Sequence, residues 1–428
     1  MKTTYLKQFA VLLMAGAICS CSNDFEPVLE DAATSQDTTK VTTKAFLNLP
    51  ISYTDESSFV NSLSSYGFLE PDDINLNRSG TKSGYNSVYG FNIPSANQVT
   101  GFKWNSGDES TEEWRPQGLT GFNWGGRKFL LATWYGVGPG TISGVYNQHK
   151  GVRIALVDIT DMNNITYRHI LLVQNKNNMN NSNLYRSTNS YDQLDLFCPV
   201  TIHAGGVAYS NNKIYVVDTK LGMRVFDIRK LIAVSGDSTK NRIGRETDGT
   251  LKAFNYSYVL PQIGYYDIDN ANPYSCISLG TGNDGEARLW TGQYLTPSDN
   301  QTPKIYGFAL NSSGQINTGQ TVQQLEPQDN ATGNNGPVYR VQGVYRRGQT
   351  STSLVTTTGN SSYEGSTARL VRHYSGDGAG TRFRWPHGAE DLYYDSSTGY
   401  LWNLTEYETS KYGQDNRCVF AVRYSDYD

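Results

Sequence analysis

The chain of 428 residues has a formal net charge of −4, with 18% charged and 12% aromatic residues. Its 30 tyrosines and 42 glycines favour strands and tight turns over long solvent-exposed helices. The aromatic content excludes a wholly disordered chain. No Lys/Arg cluster occurs in the sequence, so we expect no nucleic-acid partner.

The N-terminus has the pattern of an export signal. Lys2 and Lys7 precede a short apolar run at residues 9–18, which is too short to span a membrane. The next residues, ICSC, place Cys21 where the lipidated cysteine of a bacterial lipoprotein lies, with an aliphatic residue three positions earlier. Residues 22–26 (SNDFE) resemble the acidic export signal of surface lipoproteins in the Bacteroidetes group. The alternative is a plain secretory signal with an incidental cysteine.

These features divide the chain. We predict a signal peptide at residues 1–20, a lipidated tether at residues 21–44, an N-terminal segment at residues 45–110 and the main domain at residues 111–428. The mature protein would be anchored in the outer membrane by its lipid and would face outward. Three further cysteines, Cys198, Cys276 and Cys418, are predicted to be buried free thiols because they lie in or beside apolar runs.

Groups of three short β-rich runs, separated by turns, recur along the main domain. The clearest copy spans residues 203–229, and the others span residues 116–174, 274–310, 340–374 and 387–424. Five such groups predict an all-β fold, a five-bladed β-propeller. The last group has only three strands, and residues 85–93 (YNSVYGFNI) of the N-terminal segment are the predicted closing strand. A β-sandwich, two separate β domains and a sixth, degenerate blade are the alternatives.

The first strand of each blade lines the channel of a propeller, and binding sites form where these strands converge. Each predicted first strand has an apolar anchor residue, and the position two residues before the anchor is mostly polar. These positions are Gln117, Gly205, Ser275, Gln342 and Glu390, with His203 and Asp391 nearby. We expect the polar side chains to meet at the channel mouth. The alternative is that they only hydrogen-bond between blades.

Carboxyl groups and aromatic rings at such a mouth indicate carbohydrate chemistry, since glycoside hydrolysis uses two carboxyl groups. The candidate catalytic residues are Glu390, Asp391, Asp218 and His203, and the candidate ligand-binding residues are Gln117, Gln342, Trp134, Tyr135 and Glu406. Oxygen ligands of this kind would suit Ca²⁺ in the channel. The sequence predicts no other metal, because it has no EF-hand loop or HExxH motif and its five histidines lack zinc-site spacing. It predicts no dinucleotide either, because the G-x-G-x-x-G match at residues 280–285 is followed by a strand-like run instead of a helix.

An ordered set of short sequences resembles a family of secreted proteins common in actinobacteria. The set comprises PQGL, GVRIALVDI, HAGGVAY, IYVVDT, GAEDLYY and LWNLTEY, and the resemblance covers roughly residues 114–425. It implies a secreted, propeller-like protein, and it assigns no catalytic residue.

The sequence therefore predicts a surface-tethered propeller that binds an extracellular ligand, of carbohydrate type, at the channel mouth. One alternative is a glycan-cleaving enzyme, a glycoside hydrolase or lyase, that uses the channel carboxylates. The second is a protein-interaction scaffold, because a fold does not determine a function.

Overall fold

The structure is a computed structural model that describes residues 45–137, 151–186, 191–268, 273–329, 336–348, 350, 352–357, 368–374 and 380–428. Its strands form four-stranded antiparallel units, which we number as blades I to V. Blade I contains Trp114–Trp124, Arg127–Gly136, Val152–Asp158 and Thr166–Asn175. Blade II contains Val207–Ser210, Lys213–Asp218, Gly222–Asp227 and Tyr258–Ile268. Blade III contains Tyr274–Thr281, Ala287–Gln293, Ile305–Ala309 and Val322–Leu325. Blade IV contains Val341–Arg347, Thr352–Thr357, Arg369–Tyr374 and Gly380–Arg384. Blade V contains Ala389–Asp395, Tyr400–Thr405, Val419–Arg423 and Gln98–Phe102.

Shorter elements surround the blades. Ile51–Asp55 pairs with the outer strand of blade II, and Ala45–Leu47 pairs with the outer strand of blade III. The other short strands are Arg78–Ser79, Asp192–Gln193, Phe197–Pro199, Ile232–Ala233, Arg242–Arg245, Leu251–Ala253, Gln328–Asp329 and Gly336–Pro337. The α-helices are Ser57–Ser62, Ser106–Ser110 and Thr409–Tyr412. Single 3₁₀ turns lie at Ser64–Tyr66, Pro71–Asp73, Tyr85–Ser87, Ser95–Asn97, Lys176–Asn180, Ile228–Lys230, Pro297–Asp299 and Tyr424–Asp426.

The first strand of every blade lies against the first strand of the next, and blade V returns to blade I. Glycines allow this close approach. A Cβ atom on Gly206 would lie 2.3 Å from the backbone nitrogen of Ile277 in blade III, and one on Gly343 would lie 2.6 Å from the carbonyl oxygen of Glu390 in blade V. A larger residue at either position would force the strands apart. The prediction of an all-β propeller is confirmed.

Apolar side chains fill the space between neighbouring blades. Phe129 and Leu131 of blade I pack with Val207 and Ile214 of blade II, all fully buried. On the other side of blade I, a second cluster joins its Leu130 and Trp134 to Trp402 and Leu404 of blade V. Residues that alternate along each strand thus face the two neighbouring blades in turn. This packing holds the first strands, and the polar residues on them, around one axis.

The strand that closes blade V differs from the predicted one. A strand from the N-terminal segment does complete blade V, but it is Gln98–Phe102, which pairs with Val419–Arg423, and not the predicted residues 85–93. Residues 85–93 begin with a 3₁₀ turn and contain Gly90 at φ 71°, a left-handed conformation that interrupts a strand. Instead, the side chains of Val88 and Ile93 in this segment pack on the core of blades IV and V.

The three thiols are free and buried, as predicted for Cys198, Cys276 and Cys418. Residues 1–44, with the predicted signal and the lipidation site Cys21, lie outside the described residues. Within the described ranges, no helix is long and apolar enough to cross a membrane.

Candidate functional site at the propeller axis

The polar positions predicted at the axis coincide with irregularities in the first strands. The pairing register shifts between Pro116 and Leu119, between Tyr274 and Cys276, between Val341 and Gly343, and between Ala389 and Leu392. Gln117, Ser275, Gln342 and Glu390 all lie within these shifts. A β-bulge redirects a side chain and leaves the regular ladder locally unpaired. The bulges therefore explain why polar residues on four first strands can point away from the apolar packing between blades.

Asp391 ties the first strands of four blades together. Its carboxylate accepts hydrogen bonds from the backbone nitrogens of Leu119 at 3.3 Å, Val207 at 2.9 Å and Ile277 at 3.2 Å, which belong to blades I, II and III. The side chain is fully buried. Burial raises the pKa of Asp391, and the backbone N–H donors oppose this rise. Because its oxygens already have these donors, Asp391 acts as a structural link between blades and is not free for the catalytic role predicted from the sequence.

Glu390, next to Asp391 in the chain, faces a different environment. The Gln342 side-chain amide donates to Glu390 Oε1 at 3.2 Å, and the Gln117 amide donates to Glu406 Oε2. The four side chains are at most 1% exposed, and we call them the axial cluster. Four of its oxygens have no hydrogen-bond donor among the described residues: Oε1 of Gln117, Oε1 of Gln342, Oε2 of Glu390 and Oε1 of Glu406. The axial cluster is therefore a set of buried oxygen atoms with unused hydrogen-bonding capacity.

The charges of the axial cluster interact. Burial raises the pKa of Glu390 well above its usual value, and the charges of Glu406 and Asp391 raise it further. Burial raises the pKa of Glu406 to about 7, although Arg115 and Arg417 lower it. At neutral pH the cluster consequently carries less negative charge than two ordinary carboxylates would.

Three charged residues that the sequence did not indicate support Glu406. Glu408 accepts from Arg115 at 3.1 Å and from Arg417 at 3.2 Å, and Arg417 Nε also donates to the carbonyl oxygen of Glu406 at 2.7 Å. Arg417 lies on the loop before the third strand of blade V and is fully buried. In the sequence, only its place directly before the apolar run CVFAV distinguishes Arg417.

Asp218 lies in an ion-pair network of blade II. It binds Arg224 and Arg186, each at 2.7 Å, and Asp218 and Arg224 are fully buried. Burial would raise the pKa of Asp218, but the two arginines lower it. Arg224 continues the network to the side chains of Gln174 and Gln262. The structure thus gives Asp218 a structural ion pair in place of the predicted catalytic role.

The predicted aromatic residues separate into two groups. The Tyr135 ring lies 4.1 Å from the ring of partly exposed His203. Trp134, in contrast, is fully buried, with its ring 5.0 Å from Trp104 and 5.5 Å from His169. Trp134 therefore packs between blades I and V and offers no face to a ligand. Tyr135 is also buried, at 4% exposure, so of this pair only His203 is partly exposed.

The axial cluster offers only oxygen atoms, the ligand class that Ca²⁺ prefers. Among the described residues, no group of three or more His, Cys, Asp or Glu side chains is placed to hold a metal ion. The Gln117 and Gln342 amide oxygens would have to complete the ligand set. Calcium in the channel stays a prediction.

No family model matches the chain, and no curated protein matches it. Among solved structures, the chain is similar to PhoX of Pseudomonas fluorescens in complex with vanadate, with 10% identity over 73% of this chain and 89% of that one, and a TM-score of 0.36. It is similar to a GH43_1 enzyme of Xanthomonas citri, with 7% identity over 73% and 88% of the two chains and a TM-score of 0.41. It is also similar to CoXyl43, a GH43 β-xylosidase/α-arabinofuranosidase from a compost metagenome, with 10% identity over 75% and 94% and a TM-score of 0.40.

Proposed function

We propose that this protein is a surface-anchored β-propeller that binds an extracellular carbohydrate at the mouth of its central channel. The observation that carries the proposal is the set of four oxygens in the axial cluster without hydrogen-bond partners among the described residues. A buried polar atom without a partner costs free energy, so a ligand whose hydroxyl groups both donate and accept is favoured there. Sugars supply several hydroxyl donors on one rigid ring.

Residues around the axial cluster suit the same ligand. The rings of His203 and Tyr135 lie beside each other. Burial raises the pKa of Tyr407 well above its usual value, and the charges of Glu406 and Glu390 raise it further. Aromatic rings offer apolar faces, and tyrosine and histidine add polar tips. A sugar ring could therefore lie on aromatic rings while its hydroxyls approach the axial cluster.

Glycan cleavage is the second candidate, and it is carried by the Glu390–Glu406 pair. Asp391 and Asp218 are committed to structural contacts, so the two carboxyl groups that hydrolysis requires would have to be these. A carboxyl group with a pKa of about 7, such as Glu406, suits a general acid. Binding is favoured over cleavage because Glu390 also has a strongly raised pKa, which opposes the ionised form that a nucleophile or base needs.

The membrane anchor forms part of the proposal. Cys21 would carry the lipid and residues 22–44 would separate the propeller from the outer membrane. If the Cys21→Ala variant remained in the membrane fraction after export, the anchoring proposal would be wrong.

A glycan array and a panel of polysaccharide digests, both with the full-length protein, test binding against cleavage. Gln342→Leu removes an amide of the axial cluster, and Gln320→Leu changes an exposed glutamine of blade III as a matched control. We expect the first variant to bind at least about tenfold more weakly and the second to bind like the wild type. Release of new reducing ends that Glu406→Gln abolishes would establish cleavage instead. A glycan that binds both variants equally would refute the axial site.

A further inference from the structure

A second cleft, of about 680 Å³, lies on the outer side of blade I. Its walls come from the helix Ser106–Ser110, from strands of blade I and from the segment between the third and fourth strands of blade II. Concave sites for small ligands commonly have volumes of about 300–1,000 Å³. The cleft does not include any residue of the axial cluster, so it is a separate place on the molecule.

Positive charge dominates this cleft in a chain whose net charge is negative. Four basic side chains line it (Arg78, Arg153, Arg168 and Lys240), against two acidic ones (Asp108 and Glu113). With His169 neutral, the cleft has two more positive than negative side chains. Burial supports that state, because it lowers the pKa of His169 to about 3.

The acidic residue at the base of the cleft fixes its neighbours in place. Asp108 is 3.0 Å from Arg78 Nη1, 3.1 Å from Arg153 Nη2 and 3.0 Å from His169 Nε2, and the Tyr167 hydroxyl donates to it at 2.7 Å. The Arg153 guanidinium lies 4.4 Å from the centre of the Trp114 ring, a cation–π contact. One carboxylate thus serves two arginines and leaves their combined charge only half balanced.

Two further features indicate which groups a ligand must carry. Arg168 donates to the carbonyl oxygen of Asn75 at 3.2 Å and to Ser257 Oγ at 2.5 Å, and both acceptors are neutral. Within the described part of the chain, His169 Nδ1 has no hydrogen-bond partner although His169 is 96% buried. A neutral His169 that donates from Nε2 to Asp108 has an acceptor at Nδ1. The cleft therefore offers cationic donors for an anion.

From this geometry we infer that the cleft on blade I binds a sugar that carries a carboxylate, a uronic acid residue of a glycan. The arginines match a carboxylate because a guanidinium can donate two parallel hydrogen bonds to it. Trp114 and Tyr256 line the same cleft and provide aromatic surface, and Asn77 and Asn255 provide amide groups for hydroxyls. An inorganic anion alone would leave most of a 680 Å³ space unfilled.

Isothermal titration of the full-length protein with digalacturonate, and with its neutral methyl ester, tests this inference. The Arg78→Gln variant removes one cation of the cleft, and Lys240→Gln removes an exposed one with little risk to folding. Arg347→Gln is the matched control: the Arg347 side chain is 44% exposed and pairs with Asp428, and that of Arg78 is 37% exposed and pairs with Asp108.

We expect the free acid to bind and the ester to bind at least about tenfold more weakly. Arg78→Gln should weaken binding of the acid by a similar factor. Lys240→Gln should weaken it severalfold, and Arg347→Gln and the channel variant Gln342→Leu should not change it. Equal binding of acid and ester, no binding of the acid, or unchanged binding in both cleft variants would overturn the inference. Displacement of the acid by an equal concentration of sulfate would also overturn it, because the cleft would then be a general anion site. Since Gln342→Leu affects only the axial site, failure here and failure of the proposed channel site give different results.

Discussion

The most direct test of the axial geometry is Asp391→Asn. The substitution keeps the shape of the side chain and replaces one acceptor oxygen by an NH₂ group. Asp391 Oδ2 accepts from Leu119 and Val207, and Oδ1 accepts from Ile277. The asparagine oxygen is expected to take the two-donor position, which places the NH₂ group against the N–H of Ile277. The first strand of blade III then loses its bond to blade V.

The magnitude follows from these three contacts. A buried donor left without an acceptor costs about 1–3 kcal/mol. We therefore expect a decrease of about 1–3 kcal/mol in the free energy of unfolding. For a chain of this size that corresponds to a decrease in Tm of roughly 1–3 °C.

Glu390→Gln is the matched control, because Glu390 is the adjacent, equally buried carboxyl group. The negative charges of Glu406 and Asp391 destabilise the ionised form of Glu390. The neutral amide should therefore leave the stability unchanged or raise it by about 1 kcal/mol. Denaturant unfolding followed by tryptophan fluorescence measures both variants. If Asp391→Asn unfolds at the wild-type midpoint, or if Glu390→Gln loses as much stability as Asp391→Asn, the structural role of Asp391 is refuted.

Two further predictions concern the other buried carboxyl groups. The folded-state pKa of Glu406, about 7, lies above the usual value, so the folded state binds this proton more tightly than the unfolded state does. The stability that Glu406 contributes is therefore greatest below about pH 4 and falls between about pH 4 and 7. The unfolding midpoint of Glu406→Gln, compared with that of the wild type, should rise steadily from pH 4.5 to pH 7.5. The midpoint of the exposed control Glu286→Gln should equal that of the wild type throughout. Asp218→Ala leaves the fully buried Arg224 without its carboxylate and should lose about 3–5 kcal/mol in denaturant unfolding. Asp192→Ala, which breaks an exposed pair with Arg242, should lose at most about 1 kcal/mol, and equal losses would contradict the structural assignment of Asp218.

The sequence predicted the strands and the axis because both follow from local patterns. Alternation of apolar residues with turn signals located the first strands, and the polar position before each anchor led to Gln117, Gln342 and Glu390. These three residues do lie at the axis, and Gln342 contacts Glu390. The repeat pattern made this possible, since equivalent positions in successive blades face the same centre.

Contacts between distant parts of the chain could not be predicted in the same way. The closing strand Gln98–Phe102 has the same short, mixed composition as residues 85–93, and only tertiary pairing with Val419–Arg423 selects it. The partners of Asp218 and Asp391 were equally hidden. Arg186 precedes Asp218 by 32 residues, and the backbone donors to Asp391 carry no side-chain signal at all. Carboxyl groups that look alike in the sequence therefore have different environments in the structure.

Glu390 and Asp391 show how those environments separate structure from function. Asp391 has three backbone donors and stabilises the ring, whereas Glu390 Oε2 and three other oxygens of the axial cluster lack donors among the described residues. A cluster of buried acceptors lowers stability, and apolar residues of similar size would remove that cost. Departures from local consistency of this kind are expected where a site serves a ligand. The same reasoning applies to the cleft of blade I, where basic residues outnumber acidic ones in an acidic protein. The two sites lack different groups: the hydroxyl groups of a sugar would satisfy the axial oxygens, and a carboxylate would balance the charge of the cleft.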